Sequence, residues 1–157
     1  MNISELLTAD LILPALDARD KEAVMLALAS RIALHHREID EALLVDALRQ
    51  RERQVSTALV DGVAVPHAKL AGLPCMVGAL GRSTVGIDCD SHDGRPTHLF
   101  FLLVGPAEHP DQHLRALATV SRLLHDERCR TGLLQAEDAA AMLAALREQA
   151  QRARRAA

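Results

Sequence analysis

Apolar residues recur at helical spacing near both ends of the chain, whereas short β-branched and aliphatic runs occupy its middle. In the first third, Asp17 and Asp20 are candidate N-caps of a helix that reaches about His36. Asp40 can cap a second helix, which closes with a cluster of arginines. The predicted buried positions of this second helix are Leu43, Leu44, Ala47 and Leu48.

Three more helices are predicted after the middle of the chain. Asp111 opens the first of them, which runs to about His125. Its predicted inward positions are Leu114, Leu117, Ser121 and Leu124. A shorter helix spans about residues 129–134, and an alanine-rich helix begins at Glu137. The basic residues 152–157 are expected to fray, because a chain end has few contacts to hold it.

The middle of the chain predicts a sheet. Residues 99–104 form the longest purely aliphatic or aromatic run, which indicates a central buried strand. Residues 75–80 predict a second strand, and residues 11–16, interrupted by Pro14, predict an edge strand at best. Residues 81–96 are rich in Gly, Asp and Ser, so a long loop with a short strand at residues 85–89 is expected there.

Two short strand-like runs flank Asp61-Gly62, a dipeptide typical of tight turns. Residues 57–60 and 62–65 therefore predict a β-hairpin. Pro66 has a fixed φ and no backbone N–H, so the ladder is expected to end there and leave the ring of His67 exposed. A hairpin within a sheet that helices flank predicts a mixed sheet in a layered α/β or α+β domain.

Size and composition favour one globular domain over residues 1–157. The chain has 49% hydrophobic and 25% charged residues, and Phe100 and Phe101 are its only aromatic residues among Phe, Trp and Tyr. Its net charge is −3 and its basic residues are spread along the sequence, which argues against binding to nucleic acid. The shortage of aromatic side chains also argues against a single-strand or RNA module.

The cysteines and the apolar runs indicate a cytoplasmic protein without membrane insertion. Cys75, Cys89 and Cys129 are odd in number and widely spaced, which predicts reduced thiols. The N-terminal residues lack the basic and apolar regions of a signal peptide. The apolar run at 99–104 is far too short to span a bilayer.

Several common kinds of site do not fit the sequence. Residues 78–83 have the wrong glycine spacing for a phosphate loop and lack its lysine, and no Gly-x-Ser-x-Gly elbow occurs. His109 and His113 are four residues apart, as helical metal ligands can be, but Pro110 marks the helix start between them. No metal or cofactor is therefore expected, and a nucleophilic histidine is the remaining candidate.

A histidine that accepts a phosphoryl group needs an accessible ring, a partner for its second nitrogen and donors for the phosphoryl oxygens. His67 could supply the ring, and the candidate donors are Arg51, Ser56, Thr57 and His113. The same residues also fit ordinary roles: a surface histidine after a turn, a solvated arginine at a helix end, turn hydroxyls and a partly buried histidine. Periodicity alone does not decide whether these groups converge.

The segment from Gly62 to Lys69, Gly-Val-Ala-Val-Pro-His-Ala-Lys, resembles the active-site signature of the IIA domains of the bacterial phosphoenolpyruvate-dependent sugar phosphotransferase system. The branch it resembles is the fructose, mannitol and nitrogen-regulatory one. Three other segments match this family in order: Arg49 to Thr57, Leu99 to Pro106 and His113 to Leu117. The opening residues 3–7 and the single expected domain are most similar to the nitrogen-regulatory members.

This resemblance implies a five-stranded mixed sheet flanked by helices, a type 2 IIA domain and a phosphocarrier mechanism. His67 would accept phosphate from a phosphohistidine on a small HPr-like protein. His113 would stabilise the phosphoryl group by a hydrogen bond, and Arg51 would neutralise its charge. Ala68 and Arg115 stand where some relatives have glycine and histidine. Neither a nucleotide nor a metal is implied.

Three functions fit this resemblance. The leading one is a nitrogen-type IIA protein that carries phosphate stoichiometrically, as a phosphotransferase-system component, and regulates partner proteins through its phosphorylation state. The second is an uptake component that passes phosphate to a IIB partner in fructose- or mannitol-type sugar transport. The third is a regulatory binding module without phosphoryl transfer.

Overall fold

A five-stranded mixed sheet packed between helices forms the domain. The computed structural model describes residues 1–157. The strands are β1 (Ile12–Leu13), β2 (Val63–Ala64), β3 (His67–Leu70), β4 (Val77–Ile87) and β5 (Thr97–Pro106). The helices are α1 (Ile3–Leu6), α2 (Lys21–His35), α3 (Glu41–Gln54), α4 (Pro110–His125), α5 (Glu127–Gln135) and α6 (Ala139–Arg155), and a 3₁₀ turn spans Ala9–Leu11.

Strand β5 is the centre of the sheet, as its apolar run predicts. It pairs antiparallel with β4 on one side and parallel with both β2 and β3 on the other. Strand β1 pairs parallel with β4 at the far edge. Every residue from Leu99 to Pro106 is buried. Because neighbouring residues of a strand point to opposite faces, helices must cover both faces of β5.

The loop expected at 81–96 is wrong in its first part, because β4 continues through Ile87 with a bulge after Arg82. Arg82 is buried there, and its guanidinium donates hydrogen bonds to the carbonyl oxygens of Pro14, Leu133 and Ala136 at 2.9, 2.8 and 2.6 Å. These acceptors come from segments distant in sequence. A polar stretch therefore continues the strand, with Arg82 and Ser83 buried and Thr84 and Val85 exposed, for a reason that local composition does not contain.

The predicted inward faces of two helices are partly wrong. Leu114 on α4 is 69% exposed and Leu43 on α3 is 62% exposed, although both were expected to be buried. Helix α4 instead buries His113, Ala116, Val120, Leu123 and Leu124. Its packing face is thus rotated toward the histidine, and Leu114 is left facing solvent beside it.

Two helix starts follow predicted caps, Asp20 and Asp40, and Asp138 caps α6 in the same way. The carboxylates of Asp20, Asp40 and Asp138 accept hydrogen bonds from backbone N–H groups in the first turns of α2, α3 and α6. The expected fraying after residue 152 does not occur, since α6 continues to Arg155. Arginines in the last turn complement the helix dipole, and an ion pair between Glu148 and Arg152 supports this end.

Cys75 is exposed, Cys89 and Cys129 are buried, and all three are free. None of the helices has both the length and the apolar character that crossing a bilayer would require.

Candidate functional site

The predicted hairpin forms only in outline. Asp61 and Gly62 make the turn with φ angles of 61° and 74°, and a single antiparallel bridge joins Ala58 to Ala64. The second arm of this hairpin forms strand β2, which pairs with β5. The turn therefore places residues 63–70 beside the central strand β5.

Pro66 interrupts the ladder, as expected, but the chain then pairs with β5 again. Val63 lies opposite Leu99 in β2, and His67 lies opposite Leu103 at the start of β3. The backbone N–H of Leu103 donates to the carbonyl oxygen of Pro66 at 2.9 Å. His67 thus begins a strand instead of following one, and its backbone is held on a rigid sheet.

The ring of His67 is half-buried and hydrogen-bonded at both nitrogens, so it is less exposed than predicted. Nδ1 lies 2.8 Å from the carbonyl oxygen of Val65, to which it can only donate. Nε2 accepts a hydrogen bond from Nε of Arg51 at 3.0 Å. Burial chiefly, with the positive charges of Arg51 and Lys69, lowers the pKa of His67, although the Val65 carbonyl opposes this. His67 is therefore a neutral imidazole with its lone pair on Nε2.

Arg51 is held in place from the last turn of α3. Its Nη1 donates to the carbonyl oxygen of Val55 at 2.8 Å, while its Nε donates to His67. Helix α3 ends at Gln54, so this Val55 carbonyl is a free carbonyl just beyond the helix end. The cation is thereby directed at Nε2 of His67.

His113, in the first turn of α4, is 3% exposed and faces His67 with ring centroids 5.4 Å apart. Neither of its ring nitrogens has a hydrogen-bond partner. Burial chiefly, and then the electrostatic influence of the neighbouring His67 and Lys69, lowers the pKa of His113 to about 4. It is a neutral ring whose one N–H and one lone pair are both free, which is unusual for a buried polar side chain.

Gly105 on β5 makes room for this second histidine. A Cβ at this position would lie 3.0 Å from Nδ1 of His113 and 2.1 Å from Sδ of Met76. Only a residue without a side chain allows the imidazole and the thioether to approach the strand together.

The two histidines open into a cleft of about 640 Å³ between β3, α3 and α4. Its charged lining residues are Arg51 and Lys69, and no carboxylate lines it. Gln50 and Gln54 line the α3 side, and Leu114 lies on the α4 side. A cleft with two cations and an unpartnered imidazole favours an anionic ligand.

Comparison with known proteins decides the family. The family model described as phosphoenolpyruvate-dependent sugar phosphotransferase system, EIIA 2, matches residues 5–149. The chain belongs to this family. It is 37% identical over 146 residues to a nitrogen regulatory protein of Bradyrhizobium diazoefficiens, covering 93% of this chain and 95% of that protein.

Two other proteins are similar to this chain over nearly all of its length. The chain is 36% identical over 143 residues to the fructose-specific EIIABC component of Bacillus subtilis, covering 91% of this chain but only 22% of that larger protein. The crystal structure of the nitrogen regulatory protein IIA-Ntr from Neisseria meningitidis superposes with a TM-score of 0.84 at 26% identity, covering 92% of this chain and 98% of that one. The predicted mixed-sheet EIIA fold is therefore confirmed.

The EIIA domain does not bring Ser56 and Thr57 to the cleft, although both were predicted to bind the phosphoryl group. The Ser56 hydroxyl donates to the carbonyl oxygen of Cys89 at 3.1 Å and accepts from Nζ of Lys21 at 3.0 Å. Thr57 is 4% exposed, and its hydroxyl donates to Glu52 at 2.7 Å. Since these hydroxyls are already hydrogen-bonded away from the cleft, we do not retain them as phosphoryl ligands.

Of the predicted site residues, the EIIA domain thus brings together His67, His113 and Arg51. Lys69 is the last residue of the signature segment, and no role was predicted for it from the sequence. Strand alternation was the available signal, because residues two apart point to the same face and Lys69 follows His67 by two. No group of three or more His, Cys, Asp or Glu residues is placed to hold a metal ion.

Proposed function

We propose that this EIIA domain is a phosphohistidine carrier that works in the cytoplasm and accepts a phosphoryl group on Nε2 of His67 from a phosphohistidine of an HPr-like protein. The observation that supports this most is the fixed tautomer of His67. The Val65 carbonyl holds the proton on Nδ1, so the lone pair on Nε2 is directed toward Arg51 and the cleft. Nε2 is therefore the nucleophile.

The transfer needs no proton movement when the phosphoimidazole of the donor carries a proton on its second nitrogen, because the departing imidazole is then neutral and His67, which keeps its Nδ1 proton, becomes a phosphoimidazolium. The phosphorus–nitrogen bond of the donor breaks, its electron pair stays on the donor imidazole, and a new phosphorus–nitrogen bond forms at Nε2 of His67. Arg51 must release Nε2 as the phosphorus approaches, and its N–H groups then donate to phosphoryl oxygens. The free N–H of His113 can donate to another oxygen, which gives that buried ring the partner it lacks.

We assign the output of this carrier to regulation. The chain covers nearly all of a nitrogen regulatory relative. A phosphoryl group adds about −1.5 to −2 charges to one cleft. A partner protein that contacts the rim of the cleft can therefore distinguish the two forms.

Transfer onward to a IIB protein in sugar uptake is the second candidate. It is favoured by the similarity to 22% of a fructose-specific EIIABC component. Both candidates require His67 to accept phosphate. A binding module without phosphoryl transfer would not require it.

The test is the intact mass of the protein after incubation with phosphoenolpyruvate, enzyme I and an HPr-type carrier. We expect an acid-labile gain of one phosphoryl group in the wild type and none in His67→Ala. His113→Gln should be labelled more slowly, because it lacks an imidazole donor to the transferred group. Thermal unfolding of each variant would show that it is folded.

The carrier itself must first label a known acceptor. With that control satisfied, an unlabelled wild type would contradict the carrier function and favour the binding module. Labelling of His67→Ala at the wild-type level would remove His67 as the acceptor. A labelled protein that then transfers the group to a IIB protein would favour the uptake role.

A further inference from the structure

Lys69 shares the cleft with both histidines. It follows His67 by two residues on β3 and therefore lies on the same face of the strand. Its register partner on β5 is Gly105, the residue that makes room for the His113 ring. The backbone thus places this lysine beside the point where the two imidazoles meet.

The Lys69 ammonium has no partner in the protein. It is absent from the ion pairs, and no carboxylate lines the cleft that it faces. Lys21, the only other lysine in the chain, lies 2.7 Å from Glu52 and also contacts Ser56. One lysine is therefore part of a closed network, and the other is free to bind a ligand.

The other donors of the site cannot surround a phosphoryl group by themselves. Nη1 of Arg51 is held by the Val55 carbonyl, and His113, as a neutral ring, offers one N–H. Three phosphoryl oxygens provide more acceptor sites than these groups can fill. The charge of Lys69 also contributes to lowering the pKa values of His67 and His113, which indicates that it lies within electrostatic range of both rings.

We propose that the Lys69 ammonium binds the phosphoryl group carried by His67 and so is a second cationic ligand of the transferred group, beside Arg51. This inference rests on the proposed carrier function. It assigns to Lys69 the stabilisation of the phosphorylated state, through a charge-assisted hydrogen bond that forms only when phosphate is present. Lysine suits this role because its ammonium is compact and can rotate its three donors toward an oxyanion.

The consequence is measurable at equilibrium with the carrier. A hydrogen bond to a charged group is worth about 1.5–3 kcal/mol, so Lys69→Gln should lower the phosphorylated-to-unphosphorylated ratio by about tenfold or more. Lys69→Arg, which keeps the charge, should restore most of this ratio. Arg53→Gln is the matched control, because it removes one exposed positive charge from the end of α3 outside the cleft.

The direct test uses the protein labelled with ¹³C and ¹⁵N in lysine only. With two lysines in the chain, the NMR spectrum contains one side-chain set for Lys69 and one for Lys21 as an internal reference. The protein is phosphorylated either by the HPr-type carrier or by phosphoramidate, which transfers its phosphoryl group to imidazole as its own phosphorus–nitrogen bond breaks and ammonia leaves. We expect the Lys69 signals to shift and its ammonium protons to exchange more slowly, while Lys21 stays unchanged.

Each outcome bears on the proposal. Labelling of His67 without any change at Lys69, or with an equal change at Lys21, would overturn the role of Lys69 and leave the carrier function intact. An unchanged phosphorylation ratio in Lys69→Gln would do the same. Failure of both donors to label His67 would overturn this inference together with the carrier function.

Discussion

Two adjacent residues of α3, Arg51 and Glu52, belong to two polar clusters that differ in whether their hydrogen bonds are satisfied. Glu52 belongs to a closed network, in which its carboxylate accepts hydrogen bonds from Lys21 at 2.7 Å and from the hydroxyl and N–H of Thr57 at 2.7 and 2.9 Å. Arg51 belongs to the open cleft, where His113 has no partner at either ring nitrogen. Polar groups that satisfy each other support structure, whereas a buried polar group without a partner that lines a cleft is available to bind a ligand.

The closed network supports the open site. Burial alone would raise the pKa of Glu52, but hydrogen bonds from Lys21 and Thr57 outweigh it and hold the pKa below its ordinary value. The network fixes Thr57, whose carbonyl oxygen accepts a hydrogen bond from the N–H of Val65 at 3.0 Å. Val65 in turn holds Nδ1 of His67. The orientation of the His67 ring therefore depends on a cluster that does not line the cleft.

Breaking the closed network should have the largest effect on stability. Glu52→Gln leaves the partly buried ammonium of Lys21 without an anion, and we expect a loss of about 3 kcal/mol in the free energy of unfolding. Arg49→Gln is the matched control, because it breaks the solvent-exposed ion pair to Glu22 between the same two helices and should cost far less stability than Glu52→Gln. Urea unfolding at pH 7 measures both, and equal losses would contradict the distinction between the clusters.

The unpartnered His113 should make stability depend on pH. Its pKa is about 4 in the folded protein and rises to the ordinary 6.5 on unfolding, so the unfolded chain binds more protons between these values. The free energy of unfolding should therefore decrease as the pH is lowered. Between pH 7 and pH 5, this residue should contribute a loss of about 2 kcal/mol. The lowered pKa of His67 acts in the same direction.

Urea unfolding at the two pH values checks this prediction in wild type and His113→Gln. The wild type should lose about 2 kcal/mol more than the variant on acidification. His92→Gln, at an exposed loop position, should keep the wild-type pH dependence. Parallel losses in wild type and His113→Gln would show that this ring does not resist protonation.

The rim of the cleft should give the smallest effect. Leu114 is 69% exposed beside His113, where a protein donor must approach. We expect Leu114→Ser to slow transfer from the HPr-type carrier about fivefold, while the free energy of unfolding changes by less than about 0.5 kcal/mol. Leu34→Ser, at a position 70% exposed on α2 and outside the cleft, should leave transfer unchanged. Wild-type transfer in Leu114→Ser would exclude this rim from the docking surface.

Local signals predicted much of the fold. The apolar run at 99–104 became the central strand, aspartates capped the helices, and Pro66 interrupted the ladder where its missing N–H required it. The errors have a common origin. Arg82 is buried because carbonyl groups from distant segments accept its hydrogen bonds, and α4 turned its histidine inward because Gly105 made room for it. Such partners come from elsewhere in the chain and have no local signature.

By itself, the sequence predicted His67 as the candidate nucleophile, the helices that carry Arg51 and His113, and the family, because these depend on residue types at short spacings. Only the tertiary structure decided which polar groups reach the cleft. It committed the hydroxyls of Ser56 and Thr57 to the Glu52 network and left Lys69 free. The physical reason is that spacing sets the face on which a side chain lies, whereas hydrogen bonds are decided by competition among all groups that folding brings within reach.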